Sequence, residues 1–252
     1  MENKLRFLYP LLSLVILLAG QFAGLPLLFL ICMVPLFLIY LKKNESSEWI
    51  VSLTIVLLIG NSILGFVQDA WNLGIILYPL VLGITLYLNL ITRKVLRGAM
   101  RSVIVVAFWL SAHYIVLKLN PSWALFFSFQ SLAGDFTQWT DATGLMGITA
   151  WVVISNIIIS KSLYTPDTKS LIRFSPSVLI ALLIILIPAF ISLFMSAKPS
   201  VGFTDMIQLY SGYSVDTIDS IYAQRGEWLA RTSAWLSVLV LIYSLVKLKT
   251  TK

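Results

Sequence analysis

Cysteine is almost missing from this chain. Cys32 stands alone, so no intrachain disulfide, Cys-x-x-Cys redox pair or cysteine metal site can form. It sits inside the apolar run LPLLFLICMVPLFLIYL, where a thiol is a small buried packing group before it is anything else. Histidine is as scarce: His113 is the one imidazole, which excludes a multi-histidine metal centre, and neither a metal nor a cofactor is expected. Charge is sparse too. Charged residues make up 12% of the chain and apolar residues 59%, against roughly 45–50% apolar in soluble domains. The longest polar interval runs to only about thirty residues, below the size that supports a core of its own, so no soluble domain fits.

What is present in quantity is apolar sequence in runs of membrane length. A helix that crosses a bilayer needs about 20 mostly apolar residues, because every backbone polar group must find its partner inside the segment. Eight such runs can be drawn, over residues 5–19, 23–41, 49–66, 73–91, 102–117, 144–160, 176–195 and 228–246. The expected fold is therefore all-α and integral to the membrane, a bundle of eight transmembrane helices. The first run passes directly into the second with no small-residue cleavage site between them, so it is expected to be a span and not a signal peptide.

Basic residues divide the connections into two sets. Fourteen of the eighteen Lys and Arg residues fall on the side that holds both termini, among them Arg93, Lys94, Arg97, Arg101, Lys247 and Lys249. The opposite side holds Asp69, Asp135, Asp141, Asp205, Asp216, Asp219 and Glu227. The asymmetry places both termini in the cytoplasm and accounts for the net charge of +7 without a nucleic-acid partner. Pro26, Pro35, Pro79, Gly83 and Pro188 interrupt three of the runs, and kinks are expected there, with hinges as the alternative. Asn61, Asn89 and Asn156 read as hydrogen-bonding groups between helices.

Two outer intervals carry the candidate chemistry. Residues 118–143 form an outer-face loop rich in Trp123, Phe126, Phe127, Phe129, Phe136 and Trp139, a composition suited to the headgroup level, as an aromatic belt or as a rim that admits an acyl chain. Residues 198–227 hold four acids with Tyr210, Tyr213 and Tyr222, and the pattern after Gly212 allows a short amphipathic helix. His113, near the outer end of the fifth run, is either a packing residue or an intramembrane ionisable group that could pair with Asp141 or Asp135. The residues expected to line a lipid-facing opening are Trp123, Phe127, Trp139, Tyr222 and Trp228, with plain interfacial anchoring as the alternative.

In their order, Trp109, Trp123, Gln138, Trp139, Thr143, Gly144, Gly147, Trp151 and Asn156 resemble the fifth and sixth spans of apolipoprotein N-acyltransferase and the loop between them, the Bacteroidetes-type sequences above all. The likeness returns at GLPLLFLICMVPLFLIYL, similar to that family's second span. It returns again at Tyr222, Arg225, Gly226, Trp228 and Arg231, similar to its entry into the last span, with Glu227 where the family usually has Asp. The resemblance implies a transmembrane part over residues 1–197 and 228–252, with residues 198–227 standing where the family carries a nitrilase-like domain and its catalytic Glu, Lys and Cys. His113 stands where the family has Glu, and Ser122 replaces a proline. Thioester chemistry needs an activated thiolate, and Cys32 offers none.

The expected function is thus a non-catalytic scaffold or subunit of the bacterial inner membrane that binds phospholipid or lipoprotein, with a separately encoded protein as the candidate partner. The alternatives are an intramembrane acyltransferase built on His113 with an outer-face Asp, and a transporter component. The near absence of charge within the runs and of any internal repeat weighs against the last.

Overall fold

The computed structural model describes residues 2–42, 47–67, 71–120, 143–164, 176–194 and 228–250. Their regular structure is entirely helical. Helix α1 spans Glu2–Phe22, and a 3-10 segment follows over Pro26–Leu30. Then come α2 at Val34–Lys42, α3 at Glu48–Val67, α4 at Gly74–Arg93 and α5 at Ala99–Leu119. The last three are α6 at Leu145–Leu163, α7 at Pro176–Phe194 and α8 at Trp228–Thr250. Five helices, α3, α4, α5, α6 and α8, are long and apolar enough to cross a membrane. The first, second and seventh runs hold shorter apolar stretches, Phe7–Phe22, Pro26–Leu41 and Val178–Ser192.

Helix α5 lies at the centre, packed on α4, α6 and α8, while α3 covers α4, and α1 lies on α3. Helix α2 packs on α6, and α7 is peripheral, resting on α6. The apolar surface follows from this order. Leu179, Ile180, Leu183, Ile187 and Ile191 of α7 and Trp235, Leu239 and Ile242 of α8 are exposed, which suits hydrocarbon and not water.

The second run departs from a simple kink. Sequence spacing predicts one kinked span over residues 23–41; the structure instead breaks it in two, with Ile31–Met33 between the pieces. Pro26 starts the 3-10 segment, where its missing N–H costs nothing. Pro35 cannot donate to the carbonyl of Ile31, and its ring crowds that carbonyl. The Ile31 carbonyl accepts instead from Val34 N–H at 3.1 Å in a tight turn. Gly24, at φ +64°, makes the corner between α1 and this segment, a conformation that a side chain resists.

A break in a helix frees backbone groups, and here α6 supplies their partners. Met33 N–H donates to Asn156 Oδ1 at 2.7 Å, and Asn156 Nδ2 donates to the Phe29 carbonyl at 2.9 Å and to Val152 O at 2.8 Å. One turn on, Ser160 Oγ contacts the Val34 carbonyl at 3.3 Å while bonding Asn156 O at 2.6 Å. Asn156 is fully buried. Asn61 also bonds between helices, donating to the Ile75 carbonyl of α4 at 3.3 Å. Asn89 differs: its amide oxygen accepts from Thr92 of its own helix at 2.8 Å.

Asn156→Leu, similar in size, leaves Met33 N–H without its side-chain acceptor and takes one donor from Phe29 O. Stability should fall by about 2 kcal/mol, read as earlier unfolding of detergent-solubilised protein, whereas Asn61→Leu, which removes one long hydrogen bond, should cost less.

Candidate functional site

The residues of α6 divide by helical phase. Thr149, Val153, Asn156 and Ser160 point to the bundle, where each is fully buried. Gly147, Ala150, Trp151, Ile154 and Ile158 recur at the three- and four-residue spacing that gathers side chains on one face, roughly opposite. That second face is one wall of a groove of about 430 Å³, whose other wall is Ile184, Ile185, Pro188 and Ile191 of α7. Leu229 of α8 and Thr143 close its end.

Local chemistry explains why space remains between the two helices. Gly147 and Ala150 carry almost no side chain, so α6 presents a shallow trough over about two turns. Pro188 removes a backbone donor from α7 and crowds the preceding turn. In that turn the Ile185 carbonyl accepts the Trp151 indole N–H at 2.9 Å, which ties the helices together at one level. Ser155 also lines the groove, and its buried hydroxyl makes no hydrogen bond. The lining is otherwise almost wholly apolar, and the volume lies within the roughly 300–1,000 Å³ of small-molecule clefts.

The ends of the groove can be oriented from contacts. His113, near the C-terminal end of α5, meets Thr149, near the N-terminal end of α6, with Nδ1 and Oγ1 3.4 Å apart. The groove end at Thr143 and Leu229 therefore lies where α5 ends, α6 begins and α8 begins. Residues 121–142 connect α5 to α6 and residues 195–227 connect α7 to α8, so both join the helices at this same end.

Trp228, the first residue of α8, is 42% exposed at that end. Trp123, Phe127, Trp139, Tyr222 and Asp141 lie outside the described residues. The groove residues Ile154, Ser155 and Ile184 escape a sequence reading, and Pro188 was legible there only as a kink. Three residues that carry the family resemblance, Thr143, Gly147 and Trp151, stand on the groove; Trp109 and Asn156 are buried supports.

Neither candidate reactive group reaches a surface. His113 is 0% exposed, with its ring edge-on to Tyr78 at a centroid distance of 5.4 Å. Cys32 is 1% exposed and its thiol contacts the Phe29 carbonyl at 3.3 Å, inside the break clamped by Asn156. Among the described residues no group of three or more His, Cys, Asp or Glu could hold a metal. A second apolar groove, about 400 Å³, runs between α3 and α4 beside Thr54, Gly83 and Ile84.

Folded protein should leave Cys32 unlabelled by a maleimide and take up one equivalent only after denaturation. His113→Leu, close in volume, should change stability by less than about 1.5 kcal/mol, as measured by thermal unfolding in detergent. Compared with models of known families, with characterised proteins and with solved structures, the chain matches none of them.

Proposed function

We propose that the chain is a non-catalytic membrane protein that holds an acyl chain of a phospholipid or lipoprotein at its outer face, a scaffold or subunit of the cell envelope resembling apolipoprotein N-acyltransferase without its nitrilase-like domain. One observation carries the reading: the apolar groove between α6 and α7, which runs to the end of the bundle where the aromatic outer interval attaches. An acyl chain is the ligand that such a lining takes without cost, since no buried charge has to be matched. The resemblance supplies the lipoprotein part of the reading, and three of its residues line the groove.

All eight apolar runs cross the membrane in this reading, with both termini in the cytoplasm. A chain held with its polar end at the outer face could be presented to a separately encoded protein. Acyl transfer itself needs a nucleophile and a base in reach of substrate, and Cys32 and His113 are both sealed from solvent and from the groove lining.

Filling the groove tests the reading. Ile154→Trp should lower the phospholipid or lipopeptide retained through purification, read by mass spectrometry, by at least about tenfold, while the unfolding temperature stays near that of the parent. Retention unchanged in a folded Ile154→Trp protein would overturn the groove as the site. Amide-linked fatty acid appearing on a lipopeptide incubated with purified protein and phospholipid alone would overturn the non-catalytic assignment. For the topology, a reporter active only outside the cytoplasm should be silent when fused after Lys252 and active when inserted at Ser211.

A further inference from the structure

The opposite end of the bundle carries a different feature, independent of the groove. Helix α4 ends at Arg93, the chain turns through Lys94, Arg97 and Gly98, and Arg101 lies in the first turn of α5. Lys94 and Arg97 are exposed, and Arg101 is half-buried with its Nε donating to the Leu96 carbonyl at 2.7 Å. Beneath them Arg93 is 4% exposed, its guanidinium 4.0 Å above the ring of Tyr40. That ring stands edge-on to Trp49 at 5.1 Å. A guanidinium keeps its charge in such surroundings, so Arg93 adds a fixed positive charge behind the exposed ones.

Helix α8 brings two more cations to the same level. Ser111 of α5 and Ser237 of α8 meet at 2.9 Å. The helices run in opposite directions, because α8 begins at the groove end where α5 finishes. From this contact Arg101 lies ten residues toward one end of α5, and Lys247 lies ten residues along α8 in the same physical direction. At 1.5 Å per residue each is about 15 Å away, so Lys247 and then Lys249 stand level with the α4–α5 turn.

The balancing acids are few. The sequence contains no Asp or Glu from 70 to 134 or from 228 to 252, which covers α4, α5, their turn and all of α8. Of the packed neighbours, α3 brings Glu48 and α6 brings Lys161 in its last turn, while Glu45 lies just before α3 and Asp167 just after α6 in sequence. Granting Glu45, Glu48 and Asp167 as counterions to Arg93, Lys94, Arg97, Arg101, Lys161, Lys247 and Lys249, four positive charges remain. Met100 and Val103 of α5 and Tyr243 and Val246 of α8 are exposed next to these cations, an apolar collar of the sort that contacts acyl chains.

We propose that this end of the bundle, where the α4–α5 turn meets the C-terminal end of α8, is a recognition site for the phosphate headgroup of an anionic phospholipid. Basic clusters between transmembrane helices attract such headgroups, with about fivefold in affinity for each Lys or Arg near the surface. The apolar collar holds the lipid tails, which a free phosphate does not have.

The test uses the full chain in neutral detergent, titrated with phosphatidylglycerol, with phosphatidylcholine and with inorganic phosphate, and read by native mass spectrometry and by the shift in unfolding temperature. Phosphatidylglycerol should be retained in preference to phosphatidylcholine, and the preference should fall as salt is raised. Arg97→Gln, at an exposed position, should weaken phosphatidylglycerol about fivefold, and the Lys94→Gln/Arg97→Gln/Lys247→Gln variant should abolish the preference. Lys118→Gln, at the other end of α5, should leave it intact. Equal retention of the two lipids, or a folded triple variant that keeps the preference, would overturn the site. Competition by inorganic phosphate at the same concentration as the lipid would overturn its assignment to a lipid headgroup.

Discussion

The structure depends on one side-chain amide. In a membrane interior a broken helix is tolerated only if something satisfies the backbone groups that the break releases, each of which costs several kcal/mol when left bare. Pro26 and Pro35 weaken the helix there, and Asn156 supports the break from the neighbouring helix with a donor and an acceptor on the same planar group. The second bond of Nδ2, to Val152 O, holds the amide to its own helix, so that the clamp cannot swing away.

That commitment fixes the phase of α6 and with it the groove. Once Asn156 and Ser160 face the broken segment and Thr149 faces His113, the helical repeat turns Gly147, Ala150, Ile154 and Ile158 outward, away from the bundle. The small residues on that face and the proline opposite leave a trough that α7 covers only in part. A structural requirement on one side of α6 thus produces an apolar groove on the other. The reactive side chains are spent on the structural side: Cys32 lies inside the clamped break, and His113 fills the α4–α5–α6 contact.

The two ends of the bundle differ in what they offer a lipid. At the end where α6 and α8 begin, the groove is apolar and six of the chain's eleven acids lie in the adjoining intervals of the sequence. At the other end, cations from three helices stand around an apolar collar and an aromatic floor of Tyr40, Trp49 and Phe37. The first suits a buried tail, the second a charged head. The basic residues that the sequence expectation assigns to the cytoplasmic side are those gathered at this end, so the proposed orientation and the proposed recognition draw on one set of charges.

Much of the helical content was legible in the sequence, because backbone satisfaction in hydrocarbon demands helix wherever apolar runs are long and local. The eight runs fall on helical segments, the second on two pieces, and five of them on helices long and apolar enough to cross a membrane; the asparagine at 156 was readable as a contact between helices. Residue type and spacing also gave the scarcity of nucleophiles, since one thiol and one imidazole are a matter of composition. Which partner Asn156 bonds was beyond reach, because its acceptor and donor lie more than 120 residues away. The groove was hidden for the same reason: a cavity is the gap between two surfaces, and the stripe on α6 becomes a wall only once Ile184, Ile185, Pro188 and Ile191 of α7 stand opposite it. The outcome of the Pro26–Pro35 stretch was decided in tertiary structure as well, since a kink and a full break differ only in whether a neighbouring helix supplies the missing hydrogen bonds.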